Sequence, residues 1–155
     1  MPTTKHITLG EIVVDEKSNE IKAVPELLDL IDVKGDIVTA DAMSCQKEIV
    51  AKITERGADY VLALKDNQKT FKKDVEDYFF SARQAPDFYP EAESEKTLEK
   101  DHGRIEKREY YLTTEISWLD DNKKWDGLRA IGMVRSKVTT GESITGDTRY
   151  FITSL

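Results

Sequence analysis

Cys45 is the only cysteine in the chain, so no internal disulfide can form, and such usage suits a reducing cytoplasm. No apolar run approaches the ~20 residues that a membrane span needs. The opening Met-Pro-Thr-Thr-Lys lacks the hydrophobic stretch of a signal peptide. Internal repeats and low-complexity tracts are absent too, which removes solenoids and disordered tails from consideration. Basic charge is in the minority: 23 Lys and Arg against 30 Asp and Glu leave a net −7. A surface built to grip nucleic acid is usually basic, because phosphate contacts come from Lys and Arg. Composition thus argues against nucleic-acid binding by the surface as a whole, while leaving room for a local basic patch.

What is present reads as one soluble globular domain. A chain of 155 residues with 39% apolar and 34% charged residues is long enough to bury a real core. Residues 6–14, rich in Ile and Val, read as a strand, and the polar 17–20 segment interrupts it. A helix is expected from about Pro25, with Val24, Leu27, Leu28 and Ile31 at the i, i+3, i+4, i+7 spacing of a buried stripe. The run Ile-Val-Thr-Ala at 37–40 reads as a buried parallel strand. A helix over 45–56, ended by Gly57, and a second apolar run at 60–64 complete a βαβ unit with a right-handed crossover. Residues 68–83 carry Phe71, Val75, Tyr78 and Phe79 on one helical face.

Beyond that helix the character changes. Residues 84–103 hold Pro86, Pro90 and many charges and read as an exposed connection. Strands are expected at 104–113, 128–136 and 148–155, antiparallel by their hairpin spacing, with Trp118 anchoring the link between the first two. The expected organisation is therefore an α/β part over 1–83, a connection over 84–103, and a β-rich part over 104–155.

Reactive groups in α/β sheets gather at the carboxyl ends of parallel strands. Asp41 directly follows the 37–40 run, and Lys65 with Asp66 follows the 60–64 run. A carboxylate there can hold Mg²⁺ and a neighbouring Lys can meet a phosphate. On spacing alone the plainer reading is that Asp41 caps the next helix and Lys65 is a solvated loop residue, because a phosphoryl-transfer metal site needs several converging carboxylates. His102 and Gly103 suit a turn. Cys45, beside an apolar helical face and without a His partner, suits packing rather than nucleophilic attack.

The segments KSNEI (17–21), PELLDLID (25–32), DIVTADAMSCQKEI (36–49), ADYVLALKDNQK (58–69) and DHGRIEKRE (101–109) stand in this order and spacing. Together they resemble the H-repeat-associated insertion-sequence transposases, a branch of the DDE transposases, over residues 10–155. The resemblance implies a ribonuclease-H-like core, seen here in part and followed by an antiparallel β-rich insertion. It also implies three carboxylates that bind two metal ions, expected to be Mg²⁺, for attack on a DNA phosphodiester. The middle carboxylate, in a Thr-x-Asp-Ala-Met context, corresponds to Asp41 within Thr39-Ala40-Asp41-Ala42-Met43, which is thus both the catalytic and the metal-binding candidate. The first acid, in an Asp-Gly-Lys segment, is expected upstream of residue 1. The third, in a His-Trp-x-Ile-Glu segment, is expected beyond residue 155. Glu106 does not take its place, since its surroundings are strand-like.

The same resemblance makes Lys65, Asn67, Gln68, Lys69 and Arg104 candidates for DNA contact. Capping explains Asn67 equally well, and a neutral ladder of Arg104, Lys107 and Arg108 with Glu106 and Glu109 is the plain alternative on that strand. The expectation is a transposase fragment, inactive alone, that forms homo-oligomers through a sheet edge left open by the absent first strand. The rival expectation is a non-catalytic interaction protein that joins or inhibits an intact transposase. A stand-alone nuclease built on Asp15, Glu16 and Lys17 is a third, disfavoured by the cap chemistry of Ser18 and Asn19.

Overall fold

A computed structural model describes residues 17–41 and 44–155. The expected 6–14 strand and the acids Asp15 and Glu16 lie outside the described residues. The elements run α1 (Lys17–Leu30), β1 (Ile37–Ala40), α2 (Lys47–Glu55), β2 (Asp59–Leu64), α3 (Lys69–Gln84), β3 (Glu93–Asp101), β4 (Arg104–Thr113), β5 (Ala130–Thr140) and β6 (Ser143–Thr153). All the strands join one six-stranded sheet in the order β1-β2-β6-β5-β4-β3. β1 and β2 are parallel across α2, as the βαβ pattern requires, and every other pairing is antiparallel. Among the described residues no helix is long and apolar enough to cross a membrane.

One face of the sheet is packed. Tyr60, Leu62 and Leu64 alternate inward along β2 and meet Ile131, Met133, Tyr150 and Ile152 from β5 and β6. Against this face lie Ile49, Val50 and Ile53 of α2 and the Phe71, Val75, Tyr78 and Phe79 stripe of α3, all buried as the helical periodicity predicts. Trp125 is buried deeper than Trp118, with its ring centroid 5.5 Å from that of Phe71. Trp118 stays 40% exposed, yet it stacks on Tyr78 at 4.9 Å and so does anchor its loop.

Four sequence expectations are corrected. The helix expected at Pro25 begins at Lys17 and carries Pro25 inside it. Proline withholds one intrahelical hydrogen bond, which packing on the core side offsets: Leu28 is buried, and Val24 and Ile31 lie partly buried beside it. β1 is not a buried inner strand. Among the described residues it is paired on one side only, with alternately exposed and half-buried positions and Ile37 54% exposed. The region 84–103, expected as a connection, contains β3, which is exposed along its length but paired residue by residue with β4. A strand with solvent on both faces carries no apolar alternation, so its sequence, Glu-Ser-Glu-Lys-Thr-Leu-Glu-Lys-Asp, hides it. β4 has the expected bounds, whereas β5 and β6 are longer than expected and reach their shared turn at Gly141.

Turn chemistry fixes the registers. His102 (φ 44°) and Gly103 (φ 77°) both occupy the left-handed region, as a two-residue type I′ hairpin between β3 and β4 demands. The seam between β2 and β6 is tied by side chains as well as backbone. Ser154 Oγ accepts the Tyr60 N–H at 2.9 Å and donates to Asp59 Oδ1 at 2.8 Å. Thr153 Oγ1 donates to the Tyr60 carbonyl at 2.7 Å.

Two outcomes follow from this packing. Ser154→Ala leaves the buried Tyr60 N–H without its side-chain acceptor and is expected to cost about 1–3 kcal/mol in urea unfolding; a change below a few tenths of a kcal/mol would mean that the seam does not need it. Cys45 is wholly buried, and burial pushes its thiol up to about 12. The native chain should therefore react with a thiol reagent orders of magnitude more slowly than the urea-unfolded chain, and comparable rates would contradict the packing role.

Candidate functional site

Parallel pairing sets β1 and β2 side by side with their carboxyl ends at one edge of the molecule. Ala40 pairs with Leu62, so Asp41 comes level with the carboxyl end of β2 and lies in the same cleft as Lys65 and Asp66. The antiparallel partner β6 closes the other side, because Tyr150 pairs with Leu64. The result is a cleft of about 520 Å³ bordered by Asp41, Lys65, Asp66, Lys72, Asp147 and Arg149.

Its formal charges balance, three carboxylates against three cations. Lys72 Nζ donates to Asp66 Oδ1 at 3.0 Å, and Arg149 Nε donates to Asp147 Oδ2 at 2.8 Å. The Lys72 ammonium, followed by the fields of Lys69 and Lys65, holds the Asp66 carboxyl below the usual carboxylate range. Asp41 is exposed at the mouth. Arrangements of this kind can receive a phosphate between Lys65 and Arg149, with a carboxylate beside it.

Asn67, Gln68 and Lys69 open α3 next to this cleft. With Asp66, Thr70 and Lys124 they border a neighbouring depression of about 500 Å³. Asp66 is common to both hollows. Gln68 also has a structural task, since its Nε2 donates to the Cys45 carbonyl at 3.2 Å. Arg104 stands apart from this group. It pairs with Thr140, which pairs with Ser143, and seven residues of β6 separate Ser143 from Tyr150, roughly 23 Å of strand. Its guanidinium reaches Glu106 at 3.3 Å, and Arg108 reaches the same carboxylate at 2.7 Å. Glu106 is thus held by two arginines of its own strand, rather than in the cross-strand ladder that the sequence offered as the plain reading.

Lys72, Asp147 and Arg149 had no signal in the sequence. The first sits about one turn into a helix, and the other two reach the cleft only through the β2–β6 register. Among the described residues no three His, Cys, Asp or Glu side chains gather in a way that could hold a metal ion. The carboxylates of the cleft are Asp41 and two acids already engaged by cations, so the described residues do not by themselves make a complete metal site.

The description "Transposase DDE domain" belongs to the family whose model matches residues 1–151. Among curated proteins, the "Uncharacterized protein in dhlA 3'region" of Xanthobacter autotrophicus is 45% identical over 141 residues, 91% of this chain and 46% of that protein. The "H repeat-associated putative transposase YhhI" of Escherichia coli K12 is 40% identical over 131 residues, 83% of this chain and 34% of its own length. "Putative transposase YncI" of Escherichia coli O157:H7 is 36% identical over 160 residues, 96% of this chain and 38% of that protein. The chain therefore spans less than half the length of these relatives. No solved structure matches it. With a family model covering nearly the whole chain, and Asp41 and Lys65 brought together where adjacent parallel strands end, the chain belongs to the family of transposases that carry the DDE domain.

Proposed function

We propose that this chain forms part of the catalytic domain of a DNA transposase, with Asp41 as one of its metal-binding carboxylates and Mg²⁺ as the ion. The observation that carries the reading is the position of Asp41 at the carboxyl end of β1, in one cleft with Lys65 at the end of β2. In such a site the ion supplies charge stabilisation for an in-line displacement at a DNA phosphodiester. The chain's own residues have narrower tasks. Asp41 offers one oxygen ligand. Lys65 and Arg149 meet phosphate oxygens. Asn67, Gln68 and Lys69, at the start of α3, border the path of the strand. The remaining ligands come from residues other than those described, in keeping with a partial ribonuclease-H-like core, and the chain alone does not cut DNA.

A second reading is favoured by a different observation. Among the described residues β1 has a partner on one side only, and Ile37 at its free edge is 54% exposed. Such an edge invites pairing with another strand, so the chain also fits a homo-oligomer or a subunit that joins, and thereby inhibits, an intact transposase. Sedimentation well above micromolar concentration separates the cases: a strictly monomeric species removes this second reading.

The metal assignment is tested with Mn²⁺ as a paramagnetic probe. Millimolar Mn²⁺ should broaden the amide resonances around Asp41, Lys65 and Asp66 first, and Asp41→Asn should abolish that selectivity. Broadening centred elsewhere, unchanged by the substitution, sinks the assignment. In parallel, supercoiled plasmid with Mg²⁺ or Mn²⁺ should stay uncut by this chain. Cleavage that Asp41→Ala abolishes would overturn the claim of inactivity.

A further inference from the structure

The outer halves of β3 to β6 run past the carboxyl end of β2 as a four-stranded arm. Register assigns its side chains to two faces. On the face shared with the helices, successive rungs hold Lys96, Glu109, Arg135 and Thr148, then Leu98, Lys107, Lys137 and Gly146, then Lys100, Ile105, Thr139 and Ile144. The assignment is fixed by contact, since Arg83 of α3 reaches Glu109 at 3.5 Å and Phe79 meets Tyr111, one rung of the same face nearer the base. This face carries Lys96, Lys100, Lys107, Arg135 and Lys137 against Glu109 alone. The opposite face carries Arg104, Arg108 and Arg149, outnumbered there by Glu95, Glu99, Asp101, Glu106 and Asp147. A chain of net charge −7 thus has an arm that is basic on one side and acidic on the other.

Pairing sharpens the contrast. All three arginines of the acidic face are in ion pairs, Arg104 and Arg108 with Glu106 and Arg149 with Asp147. On the basic face Arg135 shares Glu109 with Arg83. Among the described residues Lys96, Lys100, Lys107 and Lys137 have no ion-pair partner. Lys107 and Lys137 stand directly opposite each other on neighbouring strands, a placement that destabilises a sheet. Lysines on the edge strand β3 are explained as protection against edge pairing. That explanation does not reach Lys107 and Lys137, which lie on the inner strands β4 and β5.

We infer that this basic face is a docking surface for the phosphate backbone of duplex DNA. The inference deepens the proposed function by naming the surface that holds the substrate's flank. Charge complementarity carries it. The unpaired lysines extend over four residues of strand, roughly 13 Å, a length over which a duplex presents about eight phosphates. No base-reading pattern accompanies them, so the contact is expected to be independent of sequence and strongly salt-dependent. The acids Glu76 and Asp77 of α3, close to Tyr150, bound the patch at its base and direct the duplex outward along the arm.

Fluorescence anisotropy of a labelled duplex, titrated with the full chain across salt concentrations, tests this. The triple variant Lys96→Gln, Lys107→Gln, Lys137→Gln should lower the slope of log affinity against log salt by about 3 and weaken binding at least about tenfold. The control Lys22→Gln, Lys34→Gln, Lys123→Gln removes the same charge elsewhere and should leave both nearly unchanged, with the two variants matched in thermal unfolding. Equal losses in both variants, or no duplex binding by the parent chain at low salt, overturn the inference. So does an arm variant that binds DNA normally but loses self-association or binding to anionic vesicles, which would assign the face to a second copy's acidic face or to a membrane. If the inference fails while Mn²⁺ broadening still centres on Asp41, the proposed catalytic role stands; if the broadening fails while the salt slope responds, the arm's role stands without it.

Discussion

Everything in this molecule depends on the antiparallel seam between β2 and β6. One strand belongs to the parallel βαβ unit and the other to the antiparallel hairpins, and four paired positions from Val61–Thr153 to Leu64–Tyr150 join them. Ser154 and Thr153 reinforce the seam through the backbone of Tyr60, a buried residue whose polar groups would be costly to leave unpaired. Without the seam, the inward residues of β5 and β6 would lose the helices that cover them, and the cleft would lose the wall that carries Asp147 and Arg149. Core and site are therefore products of one register.

How much of this was legible in the sequence follows the range of each interaction. The α3 stripe was legible because Phe71, Val75, Tyr78 and Phe79 repeat at helical spacing, and the βαβ unit because apolar runs bracket an amphipathic helix. The placement of Asp41 and Lys65 followed from that unit alone. β3 was hidden, since a strand wet on both faces has no alternation to read. The extent of α1 was hidden by its polar first turn and by Pro25, which local rules place at a helix start and which packing allows inside one. The pairing of β2 with β6 was also beyond reach, because strand order is a property of pairings far apart in the chain.

Charge illustrates the same limit at the level of function. The net −7 describes the composition accurately and the surface poorly. Period-two alternation on paired strands sorts lysines and carboxylates onto opposite sides, and a sum over residues cancels what a sheet separates. Asp66 and Lys72, six residues apart, similarly neutralise one another inside the cleft.

The two tight hairpins have a consequence for the order of assembly. Asp101 meets Arg104 and Thr140 meets Ser143 across two-residue turns, whereas Thr153 must find Tyr60 across 93 positions. Local loops close far sooner than distant ones. On the ribosome, β2 emerges with its inner edge bare and stays so until β6, 93 positions further along the chain, has been added. Its hydrogen-bonding groups and the apolar side of the βαβ unit need shelter throughout that interval, and chaperone demand should be concentrated there.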